Sequence, residues 1–142
     1  MNRARLIDRL IEHESLRLKP YTDTAGRLTI GIGRNLTDRG ITELEARYLA
    51  GNDIGIAEVD LDRNVPWWRT LNESRQEVLT EMCYNLGWPK LSRFVLFLEA
   101  AEVGDFQTAA AEMLESLWAH QVGNRAVTLA DAMRAGTFDL IA

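Results

Sequence analysis

The chain has 142 residues, 46% of them hydrophobic and 26% charged, with a formal net charge of -5. That length and apolar content suit a single globular domain with a sizeable core and exclude a disordered or low-complexity chain. The mild acidity, with Lys and Arg scattered along the chain, excludes a basic footprint for nucleic acid, so an anionic partner has to be recognised locally.

Cys83 is the single cysteine, and His13 and His120 are the only histidines. An intramolecular disulfide and a cysteine zinc cluster are therefore ruled out, and neither a metal nor a cofactor is expected. The opening "MNRARLIDRLIEHE" lacks an uninterrupted apolar run. The expectation is no signal peptide, no stable membrane insertion and synthesis in a reducing cytoplasm.

In chain order, Leu6, Ile7, Leu10 and Ile11 recur at helical spacing and predict an amphipathic helix over about Asn2 to Glu14. From Leu16 to Ile32 the apolar residues alternate around "TDTAG", which predicts a β-hairpin, with a third short strand before Gly40. Thr42 and Glu45 form a T-x-x-E capping box that starts a long helix towards Arg63, stopped by Pro66. Asn72 caps the next helix and Gly87 ends it. Helices follow over Ser92 to Val103, Asp105 to about Ser116 and Leu117 to Val122, and Asn124 caps a last one that stops at Gly136. A small sheet followed by many helices is an α+β pattern. The N-terminal helix and β-lobe take about residues 1–40, and the long helix with a helical lobe takes about 41–142. A cleft between two such lobes is a natural ligand site.

Glu14 follows Ile7, Leu10 and Ile11 by seven, four and three residues, so it shares their helix face. It also closes the helix, where the macrodipole disfavours negative charge. Both effects would raise its pKa, as a general acid requires. A glutamate frayed into solvent is the competing reading. Asp23 in "YTDTAG" can simply bond its own backbone to shape the turn. Gly31 and Gly33 in "TIGIG" weaken a strand and suggest a face kept bare for close approach. Two acids from different elements, one in an apolar setting and one in a polar turn, are what cleavage of a glycosidic bond needs.

"IEHESLRLKPYTDTAGRLTIGIG" resembles the catalytic segment of the phage-type lysozymes, the endolysins of glycoside hydrolase family twenty-four. Glu14, Asp23 nine residues on and Thr29 six further fall on that family's spacing. "GITELEA", "MCYNLG" and "GNRAVTLADAMRAGTFD" resemble its interlobe helix, cleft-lining helix end and last helix. The resemblance implies a two-lobed lysozyme-like muramidase that hydrolyses the β-1,4 bond between N-acetylmuramic acid and N-acetylglucosamine in peptidoglycan. Glu14 would be the general acid, while Asp23 and Thr29 would hold and activate the water. Inversion would set the two carboxyls roughly 6.5–9.5 Å apart. Gly31, Gly33, Tyr84 and Asn85 would line the substrate, and Arg125 would lie against Glu14. Trp118 would be structural.

The same resemblance implies a monomer that needs no cofactor, waits in the host cytoplasm for a holin-type partner, and then acts on glycan strands in the periplasm. Trp67, Trp68 and Trp88 read as core or rim residues, and Cys83 as a buried, inert thiol. Two departures stand out. Ser15 occupies the place where the family usually has Gly, and Arg34 the place where His is common. Arg34 is expected to pair with Asp53. A lytic transglycosylase, which needs one acid only, remains open. So does a non-catalytic peptidoglycan-binding or virion protein with the same fold.

Overall fold

The computed structural model describes residues 1–140. The chain forms two compact units, Met1–Leu49 and Ala50–Ala142. Their boundary falls within the long helix, later than the expected position near residue 40.

In the first unit, helix α1 (Arg3–Glu14) starts at Asn2, whose side chain accepts the Arg5 amide at 3.0 Å. That bond satisfies an amide with no partner inside the helix. α1 ends at Ser15, whose amide donates to the Ile11 carbonyl at 2.8 Å. Strands β1 (Arg17–Thr22), β2 (Leu28–Gly31) and β3 (Arg34–Asn35) form an antiparallel sheet in the order β1-β2-β3. The pairing of β1 with β2 shifts register between Arg17 and Tyr21. Pro20 lies in that interval and has no amide to give a ladder, so it suits an edge strand at an irregularity. The alternation that predicts these strands does not put its leucines inside. Leu18 and Leu28 are exposed, and Thr29 is the buried residue of β2.

Helix α2 (Glu43–Asn64) opens with the predicted capping box. The Thr42 hydroxyl accepts the Glu45 amide at 3.1 Å, while Glu45 Oε1 accepts from the Thr42 amide and hydroxyl at 3.3 and 3.0 Å. The other Glu45 oxygen takes Arg34 Nη1 at 2.6 Å, and the same nitrogen donates to the Gly40 carbonyl. The expected Arg34–Asp53 pair is thus replaced by one inside the first unit. Glu45, eleven residues on, already points its carboxylate back along the cap, so the guanidinium leaving β3 meets it there. Arg34 and the Thr42 cap together hold the Glu45 carboxyl below the usual carboxylate range.

The second unit adds a 3-10 turn (Trp68–Thr70) and helices α3 (Glu73–Leu86), α4 (Trp88–Leu91), α5 (Val95–Glu102), α6 (Phe106–Glu115), α7 (Leu117–Val122) and α8 (Asn124–Ala135). Its core is built from Leu61, Val78, Leu79, Met82, Phe97, Met113, Leu129 and Met133. Buried Ala109, Ala110, Ala126 and Ala130 let α6 and α8 approach closely. Two boundaries differ from expectation. The segment predicted as one helix from Ser92 starts at Val95, after the extra short α4, whose first turn accepts Pro89 because an amide there would lack a partner. Asn124 is the first residue of α8 and caps nothing, since Gly123 takes the cap position.

Two polar clusters tie helices together. Asp62 accepts Trp68 Nε1 at 2.8 Å and Arg69 Nε at 2.7 Å, and the Arg69 guanidinium lies 4.5 Å from the Trp68 ring centre. These donors hold the Asp62 carboxyl below its ordinary range. On α3, Arg75 Nε and Nη2 donate to the Met133 and Arg134 carbonyls at 2.7 and 3.0 Å, and its guanidinium sits 3.5 Å from the Phe106 ring centre. One side chain therefore closes the carbonyl end of α8 and packs on α6.

Replacing Arg75 with Ala removes both bonds and the ring contact, and should cost about 2–3 kcal/mol in urea unfolding. For Glu45, a depressed folded pKa means that its stabilisation is present above the unfolded carboxylate pKa and fades as pH falls through the folded value. Wild type should accordingly lose more Tm than Glu45→Gln on acidification from roughly pH 6 to pH 3. Parallel losses would exclude that linkage.

Candidate functional site

Asp23 does the turn work that its sequence suggests. Its Oδ1 accepts the Ala25 and Arg27 amides, each at 2.9 Å, and its own amide donates to the Arg27 carbonyl at 2.9 Å. The turn uses Oδ1 and leaves Oδ2 for another partner. Thr29, 4% exposed, donates its hydroxyl to that same Arg27 carbonyl at 3.0 Å. With its hydrogen committed, the hydroxyl can only accept from a further donor such as water. Arg27 therefore links Asp23 to Thr29 through its main chain. Sequence reasoning missed it, because backbone groups carry no residue-type signal.

Glu14 is exposed at the end of α1, not set into an apolar face as expected. Its neighbour is Gly33. A Cβ built on Gly33 would stand 3.0 Å from Glu14 Oε2 and 3.4 Å from its Cβ and Cδ. At that separation one of the two groups has to move. Gly33 also has φ +71°, a conformation that favours glycine. The bare face expected at Gly33 exists, and the Glu14 carboxylate occupies it. Gly31, with φ +70°, has open space where a Cβ would be. The first unit thus gathers Glu14 with Gly33, and Asp23 with Arg27 and Thr29.

The remaining candidates lie in the second unit. Tyr84 and Arg125 line a groove of about 810 Å³ together with Trp68, Gln76 and Glu81. Arg125 Nε donates to Glu81 Oε2 at 2.8 Å. That pair joins α8 to α3 and was not foreseen, since nothing in either segment marks the partner. Asn85 is partly committed to structure, its Oδ1 accepting Trp118 Nε1 at 2.8 Å. Trp118 is buried and meets Phe94 edge to face at 6.2 Å, the structural place expected of it. Cys83 is buried with Sγ 3.8 Å from the Ala57 carbonyl, and burial pushes its thiol up to about 11, which keeps it protonated and unreactive.

Among the described residues no group of three or more His, Cys, Asp or Glu could hold a metal ion, and no helix is long and apolar enough to cross a membrane. The chemistry this arrangement can offer is that of two carboxylates and a hydroxyl on one small sheet and its adjoining helix end.

Comparison with known proteins gives this arrangement a context. The family model described as phage lysozyme matches residues 11–134, a span that holds every candidate residue. The chain is 28% identical, over 85% of its length, to the pre-baseplate central spike protein Gp5 of Enterobacteria phage T4, of which the match covers 26%. It therefore spans about a quarter of that spike protein. It is 26% identical to the probable T4-type lysozyme 1 of Dictyostelium discoideum, covering 93% of this chain and 95% of that protein. It is also 31% identical to the endolysin of Acyrthosiphon pisum secondary endosymbiont phage 1, covering 72% of this chain and 70% of that protein. With its α+β architecture and a match over most of its length, the chain belongs to the phage lysozyme family, a family of muramidase enzymes.

Proposed function

We propose that the protein is an endolysin-type muramidase that hydrolyses the β-1,4 bond between N-acetylmuramic acid and N-acetylglucosamine of peptidoglycan. The observation that carries this reading is the seating of Glu14 against Gly33 in the unit that also holds the Asp23–Arg27–Thr29 hydrogen-bond cluster. In the proposed mechanism Glu14 protonates the glycosidic oxygen as the bond to the anomeric carbon breaks. Asp23, through the oxygen that the turn leaves free, takes a proton from the attacking water. Thr29, its own hydrogen spent on Arg27, accepts the water's second hydrogen and orients it. Attack from the face opposite the leaving group inverts the anomeric centre.

Gly31, Tyr84 and Asn85 are offered as glycan contacts. Glycan strands are the substrate and no cofactor takes part. The protein would work as a monomer, held in the host cytoplasm until a holin-type partner opens the route to the periplasm. The likeness to a central spike protein favours a second reading, in which the same chemistry serves a virion-borne protein.

Turbidity clearing of outer-membrane-stripped Gram-negative cells tests the main reading. Wild type should clear them and Glu14→Gln should be slower by at least about 10²-fold. Equal clearing by the two proteins removes Glu14 as the acid, and absence of clearing by both removes the enzyme reading. A 1,6-anhydro end in the products would show a transglycosylase.

A further inference from the structure

Among the described residues Ser15 is the one non-glycine with positive φ, at φ 73° and ψ 164°. That combination is almost confined to glycine, because a Cβ meets the backbone there. The residue follows Glu14 directly. Its amide closes the last turn of α1 on the Ile11 carbonyl, and two residues later Arg17 pairs with Gly31 in the sheet. The chain thus turns from helix to strand within Ser15. The turn sets the direction in which the sheet leaves the end of α1, and the Glu14 carboxylate lies at Gly33, where a Cβ would stand 3.0 Å from Oε2. Ser15 and Gly33 are the two ends of one fitting: a strained exit that delivers the acid and an empty place that receives it.

We propose that Ser15 is a positioning residue for Glu14, its strained backbone setting the acid on Gly33 while the cost of its Cβ leaves that seat only partly populated. A relaxed Ser15, with φ returned to negative values, would carry Glu14 off Gly33. Relief of the strain should therefore raise the seated fraction, and added strain should lower it. The inference rests on the reading of Glu14 as the general acid.

Two variants separate backbone from hydroxyl. Ser15→Gly keeps the turn, removes the strain and loses the hydroxyl. Ser15→Thr keeps the hydroxyl and adds a β-branch that tolerates positive φ poorly. With purified peptidoglycan, kcat should fall in the order Gly, Ser, Thr, by about two- to five-fold at each step, with KM unchanged. Tm should rise by about 3–6 °C in Ser15→Gly.

A Thr variant with wild-type kcat beside a weakened Gly variant would make the hydroxyl the active feature and overturn the proposal. A higher Tm in Ser15→Gly with unchanged kcat would overturn it as well. The ¹³C resonance of the Glu14 carboxyl gives a reading that needs no turnover. If wild type fails to cleave peptidoglycan but this resonance sharpens on Ser15→Gly, the functional reading fails and the positioning stands. Identical resonances in the two proteins end the positioning claim.

Discussion

The main chain of Arg27 is the constraint on which the hairpin side of the site depends. Its amide bonds Asp23 Oδ1, and its carbonyl takes both the Asp23 amide and the Thr29 hydroxyl. These three bonds close the turn, and closing it is what consumes one oxygen of Asp23 and the hydrogen of Thr29. What remains is an acceptor on each side chain. A turn residue and a water-binding residue are usually treated as rival descriptions of an aspartate like this one. Here the turn bonds use only part of the side chain's capacity, so shaping the turn leaves Oδ2 able to accept from a further donor. Burial of Thr29 follows from the same bond, since a hydroxyl without a partner is costly to take out of water.

The helix side obeys a different constraint, one of space. Glu14 is not steered by an apolar face. It is steered by the chain's exit at Ser15 and by the missing side chain at Gly33. Beyond Gly33, Arg34 is tied to Glu45 and the Gly40 carbonyl, so the turn that carries the seat runs into a strand bonded to the cap of α2. The Thr42 capping box serves the helix and, through Glu45, the strand. An arginine meets this geometry well because one guanidinium nitrogen, Nη1, carries two hydrogens and can donate to a carbonyl and a carboxylate together.

Much of this was legible in the sequence, and for identifiable reasons. The helix from Arg3, the hairpin, the capping box at Thr42 and the cap at Asn72 each depend on neighbours within a few residues, which is the range that periodicity and capping chemistry report. The spacing of Glu14, Asp23 and Thr29 was visible in a different way, through its resemblance to the phage-type lysozyme pattern. The Arg34–Asp53 pairing failed because it was inferred from a pattern in other chains, whereas a nearer carboxylate at Glu45 was already turned towards β3. Alternation in β2 misled about burial, because it marks a strand without saying which face is covered. Arg125 with Glu81 and Arg75 with the end of α8 join segments 44 and 58–59 residues apart. No local rule reaches so far.

The two units also differ in what holds them. Every buried apolar side chain among the described residues falls between Ala57 and Met133. In the unit that carries Glu14, Asp23 and Thr29, the ties are backbone ladders, the Asp23 turn, the Arg27–Asp38 and Arg34–Glu45 ion pairs and the α2 cap. Polar ties of this kind fix direction and distance, as proton transfer demands, but each contributes little net stability. Apolar burial supplies stability without direction. The alanine-lined packing of α6 on α8 belongs to the second kind, and the Arg27 and Glu45 bonds to the first. Salt and acid weaken ion pairs while leaving apolar burial largely intact. The geometry around the two acids should therefore respond to such conditions before the helical core does.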